Sequence, residues 1–191
     1  MSINLSKNST ISLTKEVPSL SQITVGLGWD VAKPKGFFGS IFGSGSIDLD
    51  ASCILMDENQ KVIDEVWFSK LKSSCKGVHH QGDNRTGEGD GDDEQIRISL
   101  SKLNKSVKYI AITVNSFTGQ SFEKVDNSFC RIIDQSSKEV CRFTLSEQGN
   151  HTGIFIGLLS LKNKEWSFSS KGIPMSGKTV KDMANLLPAH I

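Results

Sequence analysis

The chain has 191 residues, 22 basic and 21 acidic, for a formal charge of +1, with ten Phe, three Trp and 37% hydrophobic residues. That length suits one domain, or at most two small ones, with a core large enough to need no staples. The near-neutral charge, and Lys and Arg scattered without a tract, argue against nucleic acid as a partner. No apolar run approaches the ~18 residues that span a membrane. The start, Met1 to Ser6, has neither the charged nor the apolar region of a signal peptide, so a cytoplasmic protein is expected. Cys53, Cys75, Cys130 and Cys141 show no CxxC or zinc-finger spacing and read as free, mostly buried thiols.

In chain order the pattern is one of strands and turns. Residues 3–13 alternate Ile3, Leu5, Ile11 and Leu13, as half-buried strands do. Leu20 to Val25 leads into Gly26-Leu27-Gly28-Trp29-Asp30, where the glycines signal a turn. Residues 33–46 form a Gly/Ser-rich excursion carrying Phe37, Phe38, Ile41 and Phe42. It reads either as a flexible loop or as a docking hook for a partner. Ile47 to Met56 is a strand, Asp57 to Gln60 its turn, and Lys61 to Lys70 the returning arm of a hairpin. Gln95 to Leu100 alternates as another strand, Ile154 to Leu161 and Trp166 to Phe168 form a later hairpin, and the tail turns helical. There Thr179 and Asp182 have capping-box spacing, Val180, Met183 and Leu187 share a face, and Pro188 follows.

The second half echoes the first. Ile23-Thr24-Val25, a glycine loop, Asp50-Ala51-Ser52 and a hairpin are matched by Ile112-Thr113-Val114, residues 115–120, Asp126-Asn127-Ser128 and a hairpin. Such an echo predicts a pseudo-twofold pair of strand–loop–hairpin units with both loops at one end.

Between Asp83 and Glu94 six carboxylates stand with one arginine, a net of −5 inside an overall +1. Crowded carboxylates repel one another unless they stay in water or a cation gathers them. Hard divalent cations take six to eight oxygens from carboxylates, amides and backbone carbonyls, all of which this stretch offers. Asp90, Asp92 and Glu94 alternate, so an extended segment would point them to one side. An EF-hand is excluded because Arg85 stands at its third position. Six carboxylates likewise argue against a phosphate loop. A soft-metal site at Cys75, His79 and His80 lacks a fourth ligand, His151 is isolated, and no nucleophile elbow is present.

The run GDNRTGEGDGDDE at Gly82 to Glu94 resembles the signature of the TerD-domain family of bacterial tellurium-resistance and general stress proteins. Val25 to Asp30, Asp48 to Ser52, Val114 to Ser116, Gln120 to Glu123 and Asp126 to Phe129 match further motifs, so the resemblance covers about Ser2 to Leu186 in one domain. It implies an all-β, two-sheet β-sandwich, here with one short C-terminal helix and the metal loops clustered at one end, holding two calcium ions. Carried over by position, the ligands are Asp30, Asp48, Asp50, Asp83, Asn84, Glu88, Asp90, Asp92, Asp93 and Glu94, with Glu123 closing a site and the carbonyls of Gly87, Gly89 and Gly91 contributing. Asp83, Asp90, Asp92 and Glu94 form the core of that set. The implied role is non-catalytic, in a cytoplasmic stress response, with other proteins of the same system as partners. Three alternatives remain: a calcium-dependent enzyme on phosphoester or nucleotide substrates, a binder of nucleotides or tellurium oxyanions through the ions, and a calcium-dependent membrane-surface binder.

Overall fold

The structure, a computed structural model, describes residues 2–31, 49–82, 91–146 and 148–191. The excursion at residues 33–46 lies outside them. Six strands form a first sheet in the order β1 (Ile3–Leu5), β10 (Glu139–Thr144), β9 (Val125–Asp134), β3 (Gln22–Val31), β7 (Glu94–Ser99) and β6 (Val78–His80). Six more form the second: β2 (Thr10–Ser12), β12 (Glu165–Met175), β11 (Gly153–Lys162), β8 (Tyr109–Ser116), β4 (Leu49–Met56) and β5 (Val62–Val66). Pairing is antiparallel throughout except between β1 and β10.

Alternation on each strand builds the core. Val25, Leu27 and Trp29 of β3, Ile96 and Ile98 of β7, and Cys130 and Ile132 of β9 meet Leu49, Ala51 and Cys53 of β4 and Ile112 and Val114 of β8 in one apolar layer. Burial pushes the Cys53 thiol well up and the Cys141 thiol up to about 12, so both stay inert. No disulfide links the four cysteines.

β4 is buried along its whole length. Its second face, Ile54 and Met56, packs with Ala111, Phe155 and Leu158 beneath α2 (Val180–Leu186). Val180, Met183 and Leu187 supply the helix's inward side, each worth about 1.5–3 kcal/mol when fully buried. Thr179 Oγ1 accepts the Asp182 N–H at 3.2 Å, and Asp182 Oδ2 accepts the Thr179 N–H at 3.0 Å. Thr179→Ala is expected to cost about 1 kcal/mol, read as a lower denaturant midpoint at unchanged slope; an unchanged midpoint would show that packing alone holds the helix.

The echoed halves interlock. β3 crosses to pair with β9 of the other half's hairpin, and β8 crosses to pair with β4. The end of β3 lies beside the start of β9, and the start of β4 beside the end of β8.

Two expectations change. Ile11 belongs to a short strand that stops at Ser12, and Leu13 opens a one-turn helix, α1 (Leu13–Glu16), with the Ser12 hydroxyl accepting the Lys15 N–H. Gly26 and Gly28 make no turn, because β3 runs through them to Val31. Their role is close approach on the sheet's outer face.

Candidate metal centre

Gly26, Gly28 and Asp30 face outward on β3, between the inward Val25, Leu27 and Trp29. A Cβ on Gly26 would sit 2.2 Å from Asp92 Oδ2, and one on Gly28 would sit 2.5 Å from the Phe129 ring and 2.8 Å from the Gly91 carbonyl oxygen. Bare backbone at both positions lets the segment entering β7 lie flat on β3.

Gly91, at φ +113°, sets the entry, a conformation open to glycine at little cost. Residues 91–93 precede the strand, which begins only at Glu94, so the alternation expected of Asp92 and Glu94 does not hold. Asp92 lies on the outer face of the first sheet with its side chain 1% exposed. Its Oδ1 accepts from Arg131 Nε at 2.7 Å and its Oδ2 from Gln95 Nε2 at 2.9 Å. Glu94 points the other way, into the sandwich, where Oε2 accepts the Ala51 N–H of β4 at 2.7 Å. It thereby ties the two sheets together at the point where β5 no longer covers β4.

His80 lies beside Glu94, its Nε2 3.5 Å from Oε2, with both side chains fully buried. His80 Nδ1 accepts the Gly82 N–H at 3.2 Å, which leaves the ring proton on Nε2, facing the carboxylate. His80 thus anchors the strand that leads into the acidic stretch. His151 stacks on Phe122, ring centres 5.1 Å apart.

Asp93 takes a third direction. Its N–H donates to Leu27 O at 2.8 Å and its Oδ2 accepts the Trp29 N–H at 2.7 Å, which extends the β3–β7 ladder by one side chain. Burial pushes its carboxyl up despite that bond, and the charges of Asp30 and Asp92 push the same way. Asp30 is exposed at the rim, accepting from Asn127 Nδ2 at 2.7 Å, directly across from Asp126.

The remaining ligand candidates are dispersed. Asp50 is 4% exposed on the outer face of the second sheet, opposite Asn115, whose Nδ2 donates to Lys178 O at the start of α2. Glu123 is exposed on a single 3-10 turn, Phe122–Lys124, that feeds β9 at the rim. Asp48, Asp83, Asn84, Gly87, Glu88, Gly89 and Asp90 lie outside the described residues. Of the described candidates, Asp30 and Asp93 share the rim with the Gly91 carbonyl. Asp92 lies on the same outer face but is held by Arg131 and Gln95, Glu94 points into the sandwich, and Asp50 lies on the outer face of the second sheet.

Arg131 was not picked out from the sequence. Alternation marks it only as an outward charge in an apolar strand. Beyond Asp92, Arg131 reaches Glu139 at 3.3 Å, and Arg142 holds the same carboxylate through Nε and Nη2 while its guanidinium lies 4.3 Å from the Phe129 ring centre. This chain of charges crosses β7, β3, β9 and β10. The Arg142 guanidinium, with Arg131 and the Ser2 hydroxyl, holds the Glu139 carboxyl down to about 2, from 4.5. Its stabilisation is full above pH 4.5 and is lost as the pH falls towards 2. Glu139→Gln is expected to reduce the acid-induced loss of stability in that window, as read by thermal melts; Asp64, Asp134 and Asp182, also held low, supply the remaining loss.

Residues 1–186 match the TerD domain family. The chain belongs to it. It is 54% identical over 182 residues to the tellurium resistance protein TerZ of Serratia marcescens, covering 95% of this chain and 94% of that one. It is 38% identical over 195 residues to the stress response protein SCP2 of Bacillus subtilis, covering 96% and 98%. A solved homologue of telluride resistance protein (TerD) from Streptomyces coelicolor A3(2) superposes with a TM-score of 0.69 at 18% identity, over 85% of this chain and 95% of that one, a likeness of fold alone. The TerD-domain chain therefore sits in a family of tellurium-resistance and stress-response proteins, and its β-sandwich is that family's fold. No helix among the described residues is long and apolar enough to cross a membrane.

Proposed function

We propose that this TerD-domain protein binds calcium at the acidic end of the sandwich and acts in the cytoplasm, without catalysis, as an interaction module of a stress or tellurium-resistance response. The observation that supports this most is the anchoring of both flanks of the acidic segment, with Asp30 next to the second of them. Gly82 is fixed on His80 at one flank, and Asp92 and Asp93 are fixed on Arg131 and Trp29 at the other. The donors gathered at the rim are oxygens, from carboxylates and a carbonyl, which suit a hard cation.

Asp30 and Asp93 would hold calcium together with Asp83, Asn84, Glu88 and Asp90 and the carbonyls of Gly87, Gly89 and Gly91. Asp48 and the exposed Glu123 are donors at the margin of this set. Asp92, Glu94 and Asp50 serve the frame instead, each already placed against a donor or an outer face. Bound calcium supplies charge neutralisation, and the chain's own residues supply the seat. The partners in this reading are other proteins of the same stress system.

Many carboxylates on a glycine-rich segment suit calcium's long bonds and high coordination better than magnesium's tight octahedron. Calorimetric titration of chelator-treated protein is expected to give calcium at least about tenfold tighter than magnesium. Equal affinities, or no heat with calcium, would reject the reading.

A further inference from the structure

At the far end of the second sheet from the acidic rim lies a hollow of about 550 Å³, lined by Glu58, Lys108, Tyr109, Leu161, Lys162 and Lys164 among others. We infer that this hollow is a binding site for a phosphate ester of about nucleoside-diphosphate size. Its volume is that of a small-molecule site, far larger than one phosphate needs. Tyr109 and Leu161 give it an apolar wall, and three ammonium groups give it charge.

Those three lysines make no ion pair among the described residues. Glu165, adjacent to Lys164, is drawn away to Lys15 at 3.7 Å. Glu58 is the single carboxylate on the wall. Three lysines lining one concavity repel one another and attract a polyanion, and lysine is a common point-charge partner of phosphate. The diphosphate of a nucleotide matches their number, while its ring has Tyr109 and Leu161 to lie against.

The backbone presents these lysines from fixed positions. The Lys108 N–H donates to Met56 O and its carbonyl accepts the Leu161 N–H, tying three strands of the sheet. Lys162 pairs with Glu165 across a two-residue turn in which Asn163 and Lys164 have φ of +51° and +64°. Turns of this kind favour Asn-Gly. Here the second position carries lysine in the left-handed region, where glycine would fit without strain. A lysine is thus kept in the lining of the hollow against the backbone's preference.

This site is independent of calcium, so the test is run in chelator. Full-length protein is titrated calorimetrically with ADP and with inorganic pyrophosphate, and separately with vesicles containing a phosphoinositide. ADP is expected to bind more tightly than pyrophosphate, and several-fold more weakly as salt rises from about 0.05 to 0.3 M. Lys108→Ala with Lys162→Ala should weaken ADP at least tenfold. Lys164→Gly should weaken it while leaving the melting temperature equal or higher, because the turn is relieved; this separates binding from folding. Lysine-dependent binding to the vesicles without binding to ADP would support the same phosphate-ester chemistry with a lipid headgroup as its source. No binding in either arm, or binding that ignores all three lysines, would overturn the inference.

Discussion

Calcium added to chelator-treated protein is expected to raise the melting temperature by about 5–10 °C. A ligand that binds only the native state stabilises by about 2.7 kcal/mol at a hundredfold excess over Kd, and each kcal/mol moves a domain of this size by about 2–4 °C. The source is the crowding around Asp30 and Asp93, which costs the metal-free protein stability. Asp93→Asn keeps an oxygen for the Trp29 N–H and removes one of the repelling charges. In chelator it should melt at or above the parent, and calcium should raise it less. A parent melt that chelator leaves unmoved would remove the structural role for the ion. An Asp93→Asn variant with an undiminished calcium increment would remove Asp93 from the ligand set.

Arg131→Ala is expected to lower stability by about 3 kcal/mol. Asp92 is almost wholly buried and accepts a charged hydrogen bond from Arg131. Taking the arginine away leaves a buried carboxylate beside the bare backbone of Gly26 with only the Gln95 amide as a named donor. Losing one partner of a buried charge pair costs far more than replacing both. Arg131→Ala combined with Asp92→Asn should therefore recover part of the loss, with a coupling energy of about 0.5–3 kcal/mol between the two sites. Denaturant melts of the single and double variants would measure it; simple additivity would show that the pair contributes nothing as a pair.

The hairpins, the helix cap and the echo between the halves were legible because each is carried by residues close in sequence, whereas the crossing of β3 to β9 and of β8 to β4 was not. Asp57 to Gln60 closes its turn with the Asp57 carboxylate accepting the Asn59 and Lys61 N–H groups, and Thr179 and Asp182 cap each other three residues apart. The acidic stretch was legible as a place. The directions of its carboxylates were not, because strand alternation starts only at Glu94 and each of Asp92, Asp93 and Glu94 is aimed by a donor distant in sequence, at Arg131, Trp29 and Ala51. Gly26 and Gly28 were misread for a related reason. Glycine marks either a turn or a close approach, and only the side chains arriving from β7 and β9 decide which. Arg131 stands 39 positions from Asp92, and no local pattern announces that two strands away a carboxylate will be laid across a neighbouring backbone. His80 beside Glu94 is of the same kind, a partnership created by the pairing of β6 with β7.

The way the halves and edges are joined also sets a timetable. Thr10 bonds to Ser169, 159 positions later, and Ser2 to Glu139, 137 positions later. A ribosome adding roughly 5–20 residues per second makes Thr10 wait about 8–30 s for its neighbour to be synthesised. For the first part of that interval, until β8 and β9 are made, β4 and β3 lack those partners, so apolar strand faces stand open. Such distant pairing places the chain among slow folders, on the scale of milliseconds to seconds once synthesis ends. A protein built this way is most vulnerable to aggregation while it is being made, and its bare edges are sealed last.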